Sequence, residues 1–219
     1  MMVLKHFFCF TLFLSLACTV VAGESANVKP TDGSGLVAHY YRDVQNWGGT
    51  WPDEGEISGN AKDWTFTKYS YTRVEPLINH LFIRSGWFSV RWKGTISIPD
   101  SRTDSEEGDL YTFYIWADDG CRLSINGKQL IDSWQPTWEE SPEALRKVSV
   151  KLKPGEYPIV VEYFQGSSLK KKDKDPIKLY WECEAMNIPK KIIPASRFSH
   201  TKADFTAERG RKELKASTK

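Results

Sequence analysis

Apolar and polar residues alternate along this chain in short runs with a period of two, the signature of strands that bury one face. The clearest run is Phe88 to Ile98. Phe88, Val90, Trp92, Ile96 and Ile98 fall on one side, and Ser89, Arg91, Lys93, Thr95 and Ser97 on the other. Gly94 interrupts the apolar row and predicts a bend or bulge. Leu110 to Ala117 is a second strand, and Leu123 and Ile125 carry the alternation past Asp118-Asp119-Gly120. Asn126-Gly127 predicts a two-residue hairpin turn, because both central positions need positive φ, with Lys128 to Asp132 as the return strand. Arg146 to Leu152 and Tyr157 to Phe164 flank Lys153-Pro154-Gly155-Glu156, a turn with proline second and glycine third. Pro176 to Cys183 is expected to be a strand with Ile177, Leu179, Trp181 and Cys183 on one face. Ile188 to Pro194 is expected to be a short closing segment.

Earlier in the chain, Gly35 to Tyr41 reads as the first strand, residues 64–71 as a short strand, and residues 75–83 as another extended piece or one helical turn. Loops are expected at 42–63, 99–109, 133–145 and 165–175. No segment holds a helical period over eleven residues, and no repeat is present. The expected fold is therefore all-β, an antiparallel barrel or sandwich.

The amino terminus does not fit that pattern. Lys5 and His6 precede an almost wholly apolar stretch from Phe7 to Val21, and Val20-Val21-Ala22 supplies small residues before Gly23. This predicts a secretory signal over residues 1–22, with no later stretch long enough to span a bilayer. Ser15-Leu16-Ala17-Cys18 also resembles a loose lipoprotein box, which would anchor the chain through Cys18. The expected organisation is a flexible lead-in at 23–34, a β domain at 35–195 and a polar tail at 196–219. The protein is expected to be secreted, extracellular or in the cell envelope.

The 219 residues carry 30 Lys and Arg against 28 Asp and Glu, and Lys5 is the single charged residue before Gly23. This balance argues against a nucleic-acid partner, which would call for concentrated positive charge. Two of the four cysteines lie in the signal, leaving Cys121 and Cys183. In an exported chain an even pair suggests a disulfide; two separate buried thiols are the alternative.

The ordered series of motifs resembles the protective antigen 14-kDa domain family, a β-barrel module of secreted toxins, glycosidases and adhesins. The resemblance rests on Gly35-Leu36 with Tyr40-Tyr41, on Phe88 to Gly94, and on Tyr111-Thr112-Phe113. It continues through Asp118-Asp119-Gly120 with Arg122-Leu123, Asn126-Gly127-Lys128, and Ile131-Asp132 with Trp134. Leu152, Pro154-Gly155 and Tyr157, then Val161-Glu162-Tyr163 and Leu179-Tyr180-Trp181, complete it. It implies an antiparallel barrel-like fold and carbohydrate binding. In fungal adhesins of the family, two consecutive aspartates joined by a cis peptide hold a calcium ion that contacts sugar hydroxyls. Asp118 and Asp119 stand at the matching positions.

Neighbouring side chains of a regular strand point to opposite faces, so a shared ion requires a tight corner or a cis bond between the two aspartates. Calcium takes six to eight oxygens, so further ligands are needed. The resemblance points to the 165–175 loop, which offers Gln165, Asp173 and Asp175. It has no asparagine, which the adhesins use, and it carries Lys170, Lys171, Lys172 and Lys174. The alternative for the aspartate pair is an ordinary turn, with carboxylates capping backbone N–H groups. Trp134 and Trp138 lie in the 133–145 loop, near the corner in sequence, and Trp47 and Trp51 lie in the 42–63 loop. Such rings either stack on sugars or anchor loops. Trp92 and Trp181 fall on apolar rows and are expected in the core.

His39, His80 and His200 lack metal-site spacing, and no nucleophile motif or carboxylate pair marks a catalytic centre. The reading is a non-enzymatic, secreted carbohydrate-binding module, calcium-dependent through Asp118 and Asp119. A structural module that contacts a surface protein and takes no sugar is the alternative.

Overall fold

A computed structural model describes residues 32–43, 65–83, 87–102, 105–135, 137, 144–166 and 174–206. Two antiparallel sheets pack face to face. The strands are β1 (Gly33–Ser34), β2 (Leu36–Arg42), β3 (Lys68–Glu75), β4 (Asn79–Ile83), β5 (Phe88–Ile98), β6 (Asp109–Ala117) and β7 (Cys121–Ile125). They continue with β8 (Lys128–Ser133), β9 (Leu145–Leu152), β10 (Gly155–Gln165), β11 (Lys174–Cys183), β12 (Ile188–Ile192) and β13 (Phe198–His200). The first sheet runs β1-β13-β5-β10-β7-β8, with β2 on β5 and β3 on β2. The second runs β12-β11-β6-β9, with β4 beside β11. The result is a sandwich of the expected all-β class, and among the described residues the strands do not close into a barrel.

Alternation accounts for the core. Tyr111, Phe113, Ile115 and Ala117 of β6 point inward and are fully buried, as are Val90, Trp92 and Ile96 of β5 and Leu179 and Trp181 of β11. Asn126 and Gly127 take positive φ of 52° and 73° and close the β7–β8 hairpin. The expected polar face of β5 is only partly polar in its surroundings: Ser89 and Thr95 are buried. Ser89 Oγ accepts from the Phe66 N–H at 2.8 Å and donates to Asp43 Oδ1 at 3.1 Å, so this sheet is covered on its second side too.

The stretch read as a polar tail from residue 196 begins with structure. β13 pairs with β1 and β5, Phe198 is buried, and a 3-10 turn at Lys202–Phe205 starts on a reciprocal Thr201–Asp204 capping box. Gly33 and Ser34, read as lead-in, form β1 opposite His200 and Ser199. The segment is short, and its partners lie far away in sequence, which hides it from pattern reading. Residues 1–22, including Cys18, lie outside the described residues. Among the described residues no helix is long and apolar enough to cross a membrane.

The expected Cys121–Cys183 disulfide is absent; both residues are buried free thiols. The register explains this. Cys121 opens β7 just after the acidic corner that follows Ala117. Cys183 lies one position past the Glu182–Thr112 pair, level with the start of β6. Six strand residues separate the two levels, about 20 Å, while a disulfide needs Cα atoms within roughly 7 Å. Burial raises both thiols, Cys121 up to about 11. Alkylation is therefore expected to leave the native protein unmodified and to label both thiols after unfolding in denaturant, without prior reduction. Labelling that needs a reductant would refute the free-thiol assignment.

Candidate functional site

The corner between β6 and β7 is held from four directions. The Asp118–Asp119 peptide is cis, the bond geometry that the family resemblance implies. Asp118 N donates to Pro176 O at 3.1 Å, which ties the corner to β11. The Tyr163 hydroxyl of β10 donates to the Asp118 carbonyl and stands 2.9 Å from Gln165 Oε1. Gly120 O accepts from Phe164 N at 3.0 Å.

Asp119 is oriented through both carboxylate oxygens. Oδ1 accepts from the Thr137 N–H at 2.9 Å, and Oδ2 from the Gly166 N–H at 2.7 Å. These donors belong to the 133–145 and 165–175 loops, so Asp119 ties both to the corner. Asp118 and Asp119 are each 8% exposed and Asp175 is 1% exposed. Burial pushes the Asp119 carboxyl up to about 6. The N–H groups of Thr137 and Gly166 pull it down, the negative charge of Asp175 adds to the rise, and Arg146 opposes it. Tyr163, fully buried among Asp119, Asp175 and Asp118, is driven well above the usual phenol range, first by burial and then by those three charges.

Arg146 of β9 is the residue that sequence reading missed. Nη1 donates to Ala117 O at 2.5 Å and Ala144 O at 2.9 Å. Nη2 donates to Asp119 O at 3.3 Å and Thr137 Oγ1 at 2.7 Å, and Nε donates to Ser133 Oγ at 3.0 Å. The rigid guanidinium fork thus spans the end of β6, the corner and the 133–145 loop. Its acceptors are mostly main-chain carbonyls, which carry no sequence signature.

Of the expected ligand residues, the structure brings Asp118, Asp119, Gln165 and Asp175 to one place. Trp138 and Asp173 lie outside the described residues, as do Trp47, Trp51 and Lys170 to Lys172. Trp134 is packed within the protein: Phe66 stacks on it at 5.6 Å, Phe164 meets it edge-on at 4.9 Å, and the Arg122 guanidinium lies 4.2 Å from its ring centre.

The donor chemistry fits a hard cation. The corner offers carboxylate, amide and main-chain oxygens and buries negative charge, and Arg146 directs its N–H groups to neutral oxygens. Calcium accepts such ligands and Asp119 retains lone pairs beyond its two N–H bonds. Among the described residues, however, no group of three His, Cys, Asp or Glu side chains forms a ready-made metal site, so an ion would draw on main-chain, solvent or ligand oxygens.

Comparison with known proteins adds three findings. The model of the PA14 domain family, the protective antigen module, matches residues 83–192. The chain is 28% identical over 180 residues to the anti-sigma-I factor RsgI3 of Acetivibrio thermocellus, which covers 78% of this chain and 22% of that protein. The chain thus spans under a quarter of that relative's length. Among solved structures, an anti-sigma factor domain-containing protein shares the fold at 24% identity and a TM-score of 0.56, over 77% of this chain and 48% of that one. A PA14 sugar-binding domain from an RTX adhesin does so at 14% identity and a TM-score of 0.54, over 76% and 98%. The epithelial adhesin 6 A domain of Candida glabrata, solved with Galβ1-3GlcNAc, is 14% identical with a TM-score of 0.55, over 86% and 93%.

Proposed function

Since the chain belongs to the PA14 domain family, we propose that it is a non-enzymatic carbohydrate-binding module whose acidic corner holds calcium. The observation that carries this reading is the convergence of Asp118, Asp119 and Asp175 at one buried corner, with Asp119 oriented by N–H groups from both flanking loops. Two structures that share the fold are a sugar-binding domain and an adhesin domain with a disaccharide, which is consistent with the proposal.

Asp118 and Asp119 would hold the ion, with Asp175 and Gln165 as its neighbours; Trp138 and Asp173 belong to loops that would flank the sugar. Bound calcium would supply a Lewis-acidic centre for vicinal sugar hydroxyls. The chain's own residues do the positioning. Thr137 and Gly166 fix the rotation of the Asp119 carboxylate, Tyr163 fixes the Asp118 carbonyl, and Arg146 keeps the 133–145 loop against the corner. Trp134 supports the loop by packing.

Titration calorimetry with calcium, followed by a glycan array with and without chelator, tests the reading. Wild-type protein is expected to bind calcium, and Asp119→Asn to weaken binding roughly tenfold or more by removing ligand charge. No heat at millimolar calcium would reject the ion; an array without hits at saturating calcium would reject the sugar.

A further inference from the structure

The outward face of the second sheet is remote from the chemistry of the corner, and it is not an ordinary solvent-facing surface. Tyr111, Phe113, Ile115 and Ala117 of β6 point into the core, so Leu110, Thr112, Tyr114 and Trp116 point out. Strand register then builds rows across the face. Ile192, Tyr180, Tyr114 and Lys147 form one, and Asn79, Lys178, Trp116 and Leu145 form the next. Tyr180 and Tyr114 are directly opposed on neighbouring strands, and Trp116 is two residues from Tyr114. The three rings therefore tile a patch of sugar-ring dimensions, about 5 Å by 7 Å between attachment points.

Lysines are arrayed on this patch. The Lys178 ammonium lies 4.7 Å from the Trp116 ring centre, and that of Lys190 lies 4.1 Å from Tyr114 and 5.7 Å from Tyr180. Cation–π attraction holds these long side chains in place, so less rotamer freedom is lost when an anion arrives. Lys147 adds a third ammonium beside Tyr114 in the register. Lys151 is paired with Glu107. Beyond Thr112 the face opens into a cleft of about 1000 Å³ lined by Leu110, Glu182, Glu184, Asn187 and Ile188. The Glu182 carboxylate accepts from the Tyr114 hydroxyl at 2.5 Å. The cleft thus places hydrogen-bond acceptors next to a cationic aromatic patch.

We propose that this face is a second, calcium-independent binding site for an acidic polysaccharide, with carboxylates of the polymer on Lys178, Lys190 and Lys147 and sugar hydroxyls on the Glu182–Asn187 cleft. Charge complementarity selects this occupant. A deoxynucleotide strand also carries an anion at every unit, but it has no ring hydroxyls to offer the Glu182 and Asn187 acceptors of the cleft. A polyuronate presents hydroxyls and carboxylates together, which matches the mixed lining. The site is independent of the acidic corner and stands or falls apart from it.

The test is titration of the full chain with polygalacturonate, with its fully methyl-esterified form, and with an oligothymidylate, all in EDTA. Polygalacturonate is expected to bind, the neutral ester to bind poorly, and a fourfold rise in salt to weaken the acid form roughly tenfold, as release of counterions from two or three contacts requires. Lys178→Gln with Lys190→Gln is expected to lose roughly tenfold in affinity, and the double arginine variant to retain binding. Lys68→Gln with Lys128→Gln, which removes the same two charges from the other sheet, is expected to bind as wild type. The proposal is overturned if the Lys178 and Lys190 double variant binds unchanged, if the Lys68 and Lys128 double variant loses as much, or if the oligothymidylate binds as tightly as polygalacturonate.

Discussion

Replacing Glu75 by alanine is expected to destabilise the fold by about 3–5 kcal/mol, the usual cost of removing one partner from a buried, charge-assisted network. Glu75 closes β3 and is 3% exposed. Its Oε1 accepts from the Tyr40 hydroxyl and Arg73 Nε, each at 2.6 Å, and its Oε2 from Trp92 Nε1 at 2.5 Å, with His80 Nε2 2.9 Å away. Four elements therefore meet on one carboxylate. Alanine would strand the Tyr40 and Trp92 donors in the interior. The shift should appear as a lower urea midpoint with an unchanged slope.

The same carboxylate sets part of the acid limb of stability. Burial alone would raise its pKa, but the donors from His80, Tyr40 and Trp92 more than reverse that and bring it down from 4.5 to about 2. The folded state holds the proton less tightly than the unfolded chain. The contribution, about 3 kcal/mol, is therefore fully present above pH 4.5 and is lost as pH falls through 2. Glu75→Gln should flatten stability over that window. An acid limb identical to wild type would contradict the network.

Gly120→Ala is expected to cost about 3 kcal/mol, at the upper end for overpacking, and to abolish ligand binding at the corner. An added Cβ would stand 2.0 Å from Phe164 Cε1 and 2.7 Å from its Cδ1. The Phe164 ring is fully buried and packs edge-on against Trp134, so it cannot swing clear without moving the 133–145 loop. Gly127→Ala is the contrast. Nothing lies within 4 Å of the added atom there, and its cost is that of φ +73° alone, about 1–2 kcal/mol. Equal midpoints for the two variants would show that the corner has room to relax.

These residues also mark how far the sequence could be read. Strands with one buried face were plain in it: β5, β6 and β10 lie where alternation placed them, and Asp118-Asp119-Gly120 was legible as a corner because two acids precede glycine between apolar runs. β3 was not, because Tyr69, Tyr71 and Val74 are exposed along it and no burial enforces alternation. The donors to Glu75 come from β2, β4 and β5 as well as from Arg73 of its own strand, and the acceptors of Arg146 are mostly main-chain oxygens, so neither hub leaves a local motif. The cysteine pair shows the opposite error. Parity and compartment suggested a bond, and register along β6 forbids it.

The β1–β13 pairing has a mechanical consequence. Asp32 Oδ2 accepts from Lys202 N at 2.7 Å, and Gly33 faces His200, so the polypeptide enters and leaves the body side by side. β13 meets β5 at Thr95 and Ile96, opposite Tyr157 and Pro158 of β10, whereas the acidic corner is level with Tyr163. Six residues of β10 separate the two, about 20 Å. Both ends of the described polypeptide thus emerge together at one end of the sandwich, and a pull on them would load β1 and β13 while leaving the corner at the far tip unstressed.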